Sequence, residues 1–402
     1  MLVSKNFGDI VTFMRASVGW SYSPAGVLVP SAANGPRLDY DPIAQLARGL
    51  LVEEQRTNLV SYSENFANAY WSKVSIAVAA SASPGADGAL SAFDITEANG
   101  ASGSKELTAP SVSYTAGQTY TISAFFRTKA VGVVRRLRMA VSSGSVIAGS
   151  LAVAFDPSDG GSVAQVVNAS NARLDVLPNG LLRGQWSFTA ANTVSANLYL
   201  TLADSSNLTT YVGDGVSGIT LFGVMIEQSG GFAGSYVKTG GAQVTRAPDA
   251  AVIADLSKIG FNATEGTIYA EVEAPNPSIA TAKGIVSIDD GTENNRLTLT
   301  KEINGRLGFA SVIGGAGSVI LASAANMPAG PVKVAAAYKA GDFAMCMGGA
   351  APVISAAGVL PAGLNAMRLG VRSNGGAING WLRNVRYIPR RITNAELQAL
   401  TT

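Results

Sequence analysis

Apolar and polar residues alternate with period two over long stretches of this chain. Tyr120, Ile122, Ala124 and Phe126 interleave with Thr119, Thr121 and Ser123, and Leu198, Leu200 and Leu202 interleave with Asn197, Tyr199 and Thr201. Such alternation predicts strands with one buried face. Turn signals recur at Pro84-Gly85, Ala116-Gly117, Asp159-Gly160-Gly161, Asn179-Gly180 and Asp214-Gly215, a spacing that fits an antiparallel sandwich rather than βαβ units. Residues 57–248 therefore read as a jelly-roll sandwich.

A new strand pattern begins at about Asp249, with runs at Gly266–Ala274, Gly284–Asp289, Arg296–Thr300, Leu307–Ile313, Ser318–Ala322 and Val332–Tyr338. Asn304-Gly305 lies between two of these runs and predicts a hairpin. Near the end, Thr393 with Glu396 three residues on forms a capping-box pattern that predicts a helix over Asn394–Leu400. Residues 249–402 thus read as a second β-sheet domain closed by a short helix.

Residues 1–56 differ from both. Short strand candidates at Asp9–Met14, Val27–Val29 and Arg37–Tyr40 are separated by Pro24, Gly26, Pro30, Gly35, Pro36 and Pro42. So little apolar surface should not fold alone, so this arm is expected to pack on a neighbour. The predicted fold class is all-β: an N-terminal arm, then two antiparallel β-sandwiches, then the short C-terminal helix.

Composition narrows the chemistry. With 14% charged residues and a net charge of +2, nothing suggests a polyanion-binding surface, and no nucleic-acid partner is expected. Two basic clusters, Arg135, Arg136, Arg138 and Arg386, Arg390, Arg391, lie inside alternating runs and read as solvated strand faces. The chain has no histidine, which removes the usual proton shuttle and the commonest zinc ligand. A single cysteine, Cys346, allows no disulfide within the chain and reads as a small buried hydrophobe, in keeping with assembly in a reducing cytoplasm. The stretch MLVSKNFGDIVTF lacks the basic region and apolar core of a secretory signal. Leu307–Val332 is uncharged but broken by glycines and by Pro328 and Pro331, so no membrane insertion is expected.

Without histidine, hydrolysis would rest on paired carboxylates. Glu271 and Glu273 share one face of a strand and are the best such pair. A solvated strand face gives the same spacing, and Ala274, Pro275 and Asn276 supply no third acid, so no enzyme is expected. Asp289, Asp290, Glu293, Asn294 and Asn295, with Gly291 for a sharp turn, form the densest oxygen cluster and would suit a structural calcium ion. A polar hairpin loop has the same composition; a second calcium candidate lies near Glu64 and Asp214. Sugar recognition needs an aromatic face beside hydrogen-bonding side chains. Tyr199, Trp186, Tyr62 and Tyr70 are the candidates in the first sandwich, Tyr199 above all because alternation turns it away from the Leu198, Leu200, Leu202 face. Trp381 and Tyr387 are candidates in the second, although Trp71 and Trp381 read better as core.

Two segments carry a resemblance. GLLVEEQRTNLVSYSENFANAYWSK, Gly49 to Lys73, resembles the lead into a carbohydrate-binding-module-like jelly roll in structural proteins of tailed bacteriophages, of the tail-fibre and head-spike type. The segment Gly218 to Ile253 is similar to the exit of the same modules, at Gly223, Glu227, Tyr236, Thr239 and Thr245-Arg246-Ala247. One departure is Leu182, which stands before Arg183 where related modules commonly carry an aromatic. The arm pattern VTFMRAS…GVLVPSAANGPRLDYDP extends the resemblance back to Val11. Residues 249–402 resemble a laminin-G or concanavalin-A-like sandwich, AAYKAGDFAMCMGGAAP matching its middle hairpin and INGWLRNVRYIPRRITNAELQALT its closing strand and helix.

The resemblance implies a virion structural protein, a spike or fibre assembled in the host cytoplasm, contacting host surface glycans and forming a homo-oligomer, most plausibly a trimer. It makes residues 1–56 the attachment arm to other virion proteins, with Val11, Phe13, Arg15, Arg37 and Asp39 as its residues. Cutting after Arg56 is then expected to leave two folded sandwiches that no longer join the particle. A purely architectural capsid or tail component, or a virion-borne polysaccharide depolymerase, are the alternatives.

Overall fold

In a computed structural model of the chain, residues 6–142, 146–275 and 281–402 are described. Among them the ladders are antiparallel and arranged as two sandwiches, with short helices at Phe7–Ile10 and Asn394–Thr401. The first sandwich pairs two six-stranded sheets. One sheet runs Ser162–Val167, Leu151–Asp156, Arg136–Val141, Leu198–Ala203, Glu106–Thr108, Ser72–Val74; the other runs Ser170–Val176, Leu182–Thr189, Thr119–Thr128, Gly218–Gln228, Phe93–Glu97, Ile76–Ala80. The second sandwich pairs two seven-stranded sheets.

The arm is not separate from this architecture. Thr12–Met14 is the edge strand of one seven-stranded sheet, paired with Ala250–Ile253. Ala47–Val52 pairs with Gly380–Ile388 in the other, and Leu38–Tyr40 extends that sheet. Val11, Phe13, Leu50 and Val52 sit in the same core as Ile268, Ile288 and Leu299. The first sandwich is therefore inserted into the second, leaving it after Val52 and returning before Ala250. The division expected at residue 56 is corrected accordingly: the arm's missing partners are strands nearly two hundred residues on or more. Cutting after Arg56 would strip three strands from the second sandwich instead of leaving it whole.

The rest of the arm covers the first sandwich. A hairpin of Gly19–Tyr22 and Leu28–Ser31 places Leu28, with Trp20 and Tyr22, on Phe125, Phe222 and Tyr236. Phe125 and Phe222 reach this outer face by alternation with Phe126 and Leu221, and a bulge follows them. In Gly218–Gln228, Ile219 and Leu221 face the core, the register shifts opposite Ser123 and Phe125, and beyond Gly223 it is Val224 and Ile226 that face it. Gly223 has a φ of 56°, and a Cβ there would lie 2.9 Å from the Phe125 ring. An extra residue in left-handed conformation flips the inward parity, and only glycine fits. Strands expected to be half-buried are thus buried on both faces: Thr121 and Ser123, read as solvent-facing, are covered.

Other expectations hold closely. The second-sandwich strands fall within a few residues of their predicted bounds, the Asn304-Gly305 hairpin joins Arg296–Lys301 to Arg306–Ile313, and the capping box forms, with Thr393 N donating to Glu396 at 2.7 Å.

Where the chain passes between sandwiches, Arg56–Asn58 pairs with Val244–Arg246. Beside this neck lies a buried charge cluster. Arg37 donates to Glu53 at 2.6 Å and also binds Asp249; Arg15 reaches Asp249 at 3.2 Å; Arg246 lies 3.5 Å from Glu53 and 3.7 Å from Asp249. The arginine and Asp249 side chains are at most 1% exposed, so their hydrogen bonds must be met internally. Carbonyls of Ser17, Ser31, Ala32 and Glu54 take further guanidinium donors, while Arg37 Nε and Arg246 Nε have no hydrogen bond. Ser235, from the inserted sandwich, donates to Glu53 through both its backbone N and its hydroxyl. Burial alone would raise the Glu53 pKa, but Arg246, Arg37 and Ser235 outweigh it and hold the carboxyl well below the usual range. Removing one partner strands the others without water. Arg37→Met should therefore cost about 3–5 kcal/mol, measured by urea unfolding of the full chain; a cost below about 1 kcal/mol would mean the cluster contributes little.

Candidate functional site

The inserted sandwich meets the arm hairpin and the second sandwich around a cleft of about 750 Å³. Trp20 and Tyr22 project into it from alternate positions of one strand, and Phe232 lines it from the segment that leads back to the neck. Trp381 enters from Gly380–Ile388, its outward direction set by Leu50 and Leu382 facing the core. The Arg48 guanidinium lies 3.4 Å from the Trp381 ring centre and binds Glu273, with Nε 3.2 Å from Oε2. Gly49, beside Arg48, has a φ of 109°, and a Cβ there would lie 2.3 Å from the Leu382 carbonyl, so only glycine lets the strand approach this closely.

Polar groups converge on the same space. Asp39 accepts from Trp381 Nε1 at 2.7 Å and from Tyr22 N at 2.6 Å. Burial raises the Asp39 pKa against these two bonds. Gln185 donates to Asp175 at 2.8 Å, and Arg183 donates to the Gly234 carbonyl at 2.9 Å. The cleft thus offers aromatic surface, carboxylates, guanidinium groups and an amide to one ligand-sized space.

The predicted site residues are distributed differently. Trp186 is fully buried against Phe188 and cannot form a sugar platform; strand alternation turns it inward with Ile122 opposite. Tyr62 and Tyr70 pack together at 5.8 Å on the rim of the first core, and Trp71 fills that core. Tyr199 does face outward as predicted, half-buried on the other sheet and away from the cleft. Tyr387 bonds Tyr338 at 2.8 Å and packs on Phe261. Trp381, read as core, lines the cleft instead. The position of Leu182 faces the core, so an aromatic there would not be a platform in this chain.

The acidic candidates do not converge. Asp289 is buried against Arg368 at 2.9 Å, Glu293 is held by Arg372 and Ser373, Asp290 closes its own turn on Thr292, and Asn294 lies beside Gly315. Glu64 pairs with Lys238, while Asp214 bonds Ser217 and lies 3.8 Å from Arg135. Among the described residues no group of three or more acidic or cysteine side chains is placed to hold a metal ion. Glu271 and Glu273 share a face as predicted, but Glu271 is bound by Arg383 at 2.7 Å and by Asn384 at 2.8 Å, and Glu273 by Arg48. Asn276 lies outside the described residues. The attachment candidates Val11, Phe13, Arg15, Arg37 and Asp39 are all buried, spent on the second core, the charge cluster and the cleft wall. The basic clusters are largely tied as well: Arg135 forks onto Glu97, Arg136 binds Asp156, Arg390 binds Glu396 and Arg391 binds Asp342.

The entry and exit motifs bond to each other. Asn58 donates to the Val224 and Val237 carbonyls at 3.1 and 2.8 Å, Ser63 N and Thr239 N each donate to the other's hydroxyl, and Ser63 Oγ meets Tyr236 Oη at 2.8 Å.

No family model and no curated protein matches the chain. Some solved structures are similar to parts of the chain. The CBM40 of Ruminococcus gnavus IT-sialidase, solved with α2,3-sialyllactose, is 18% identical with a TM-score of 0.30, covering 35% of this chain and 84% of its own. The same CBM40 without that ligand gives 18% identity and a TM-score of 0.29, over 35% of this chain and 84% of its own. Domains LG4-5 of the mouse laminin α1 chain are 11% identical with a TM-score of 0.27, covering 73% of this chain and 90% of their own. At these values neither ligand nor site residues carry over.

Glu227, from the exit motif, lies against the cleft floor. It is fully buried, accepts from Gly234 N at 2.6 Å and has Arg56 3.5 Å away. Burial outweighs Arg56 and that bond and pushes its pKa from 4.5 to about 6. A carboxyl whose pKa is raised on folding favours the folded state only while protonated, so its contribution is lost as pH rises. Compared with Glu227→Gln, the native chain should lose about 2 kcal/mol between pH 4.5 and about 6, read from urea unfolding at stepped pH. A constant difference across that window would show that Glu227 is not shifted.

Proposed function

We propose that this chain is a non-catalytic glycan-binding protein, displayed as a spike or fibre on a tailed phage or phage-like particle. The observation that carries the glycan reading is the cleft, where Trp20, Tyr22 and Trp381 stand beside Asp39, Asp175 and Gln185. Sugar rings present C–H faces to aromatics and hydroxyls to such polar groups. The choice of binding over hydrolysis is supported by the pairing of Glu271 and Glu273 with arginines, which leaves neither poised as acid or nucleophile.

The particle assignment is supported by the phage-like entry and exit segments. A homotrimer would suit it, because repeated weak sugar sites gain strength by acting together. The mode of attachment needs a surface other than the buried side chains of Val11, Phe13, Arg15, Arg37 and Asp39.

A glycan array probed with the full chain should give discrete hits, weakened about tenfold or more by Tyr22→Ala and by Trp381→Ala, with circular dichroism unchanged. Absence of any hit, or hits indifferent to both changes, would sink the cleft reading. Antibody labelling of purified particles tests display separately, and absence from every particle fraction would end that half of the proposal.

A further inference from the structure

The outer face of the sheet containing Leu198–Ala203 holds a second, shallower depression of about 350 Å³. It shares no lining residue with the cleft, and the inference drawn from it does not rest on the cleft reading. Its shape follows from register. Thr201 lies between Arg138 on one neighbouring strand and Glu106 on the other, and Tyr199 lies between Ala140 and Thr108. Small residues form the floor, and Arg138, Glu106 and Tyr199 form the walls. The inward positions, Leu137, Met139, Leu200 and Leu107, are core, so the sheet holds the walls rigidly.

Arg138 is the anomaly. Its neighbours Arg135 and Arg136 are fixed by carboxylates. Arg138 is half-buried, yet among the described residues its guanidinium has no hydrogen bond, ion pair or ring contact. Burial lowers its pKa against the more distant pull of Glu106. A partly desolvated guanidinium whose donors are met only by solvent is open to pairing with an anion. Glu106 does not supply that anion, because it stands two strand spacings, roughly 10 Å, from Arg138 along the sheet; its oxygens accept from Thr108 at 2.9 Å and Ser104 at 3.3 Å and keep further lone pairs.

We infer that this depression is a binding site for a hexuronic acid residue of an acidic glycan. The ring lies on Tyr199, the carboxylate pairs with Arg138, and ring hydroxyls reach Glu106. Tyr199 and Arg138 are diagonal cross-strand neighbours, about 7–8 Å apart, and this suits a carboxylate attached directly to a pyranose ring. A neutral sugar would leave Arg138 unanswered.

The test is saturation-transfer NMR on the full chain with sodium glucuronate and sodium galacturonate, each against its neutral hexose. The native chain should bind at least one hexuronate and neither hexose, with the signal falling as salt is raised. Arg138→Gln and Tyr199→Ala should each lose at least tenfold in affinity, while Trp381→Ala, in the cleft, keeps it. Because Arg138 makes no internal bond, Arg138→Gln should melt no lower than the native chain. Binding of neither hexuronate, equal binding of the hexoses, or full binding by Arg138→Gln would each overturn the inference. Loss in Trp381→Ala alone would place the hexuronate in the cleft and overturn it too.

Discussion

The structure depends on five charged side chains that are almost wholly shielded from water. Arg15, Arg37 and Arg246 surround Glu53 and Asp249 at the place where the chain leaves one sandwich and re-enters it. Charges this deep are weak evidence for net stability, because well-packed apolar residues could replace them at little cost. Their value is positional. Each carboxylate is shared by arginines from distant parts of the chain, so the arm, the neck and the returning segment are correct together or not at all. Ser235 brings the inserted sandwich into the same network through Glu53, which fixes the wall of the cleft as well as the crossing.

That coupling explains why the cleft can exist. Its aromatic residues come from the arm, from the segment before the neck and from the last strand of the second sandwich. No one of these elements makes a pocket. Asp39 ties two of them, accepting from Tyr22 N and from Trp381 Nε1. A site assembled from segments hundreds of residues apart needs a rigid joint, and the buried cluster lies directly beneath it.

The same non-local construction marks what could be read from sequence. Where one residue pair or one strand sufficed, the reading was accurate: the Thr393–Glu396 capping box, the Asn304-Gly305 hairpin and the outward Tyr199 all obey local rules. Trp186 was misread although the same alternation applies to it, since Gln185 and Ser187 flank it and the inward phase could have been counted from Leu182. Trp381 was misread for another reason. Its surroundings are Arg48 and Asp39, both supplied by the arm, and nothing within Gly380–Ile388 announces them. The arm itself misled through composition, because proline-rich, turn-rich chain looks detached when its strand partners lie elsewhere. Arg15, Arg37 and Asp39, expected as attachment residues, are buried and their contacts are internal.

The exit motif shows how a family-like signal can be structural and still bear on function. Glu53 and Glu227 approach the same glycine, since a Cβ on Gly234 would lie 3.3 Å from one carboxylate and 3.2 Å from the other. Two acids so placed cannot be equally well served. Glu53 has the arginines and both donors of Ser235, while Glu227 has one backbone bond and a distant Arg56, and its Oε2 has no hydrogen bond. Their pKa values therefore move in opposite directions: the arginines and Ser235 bring Glu53 down against burial, and burial takes Glu227 up. Gly234 and Ser235 line the cleft, so the floor of the cleft lies against a carboxyl whose charge changes in mildly acidic conditions, while that of the joint does not. Separation of a fixed carboxylate from a titrating one lets the junction hold its geometry as the cleft's electrostatics vary.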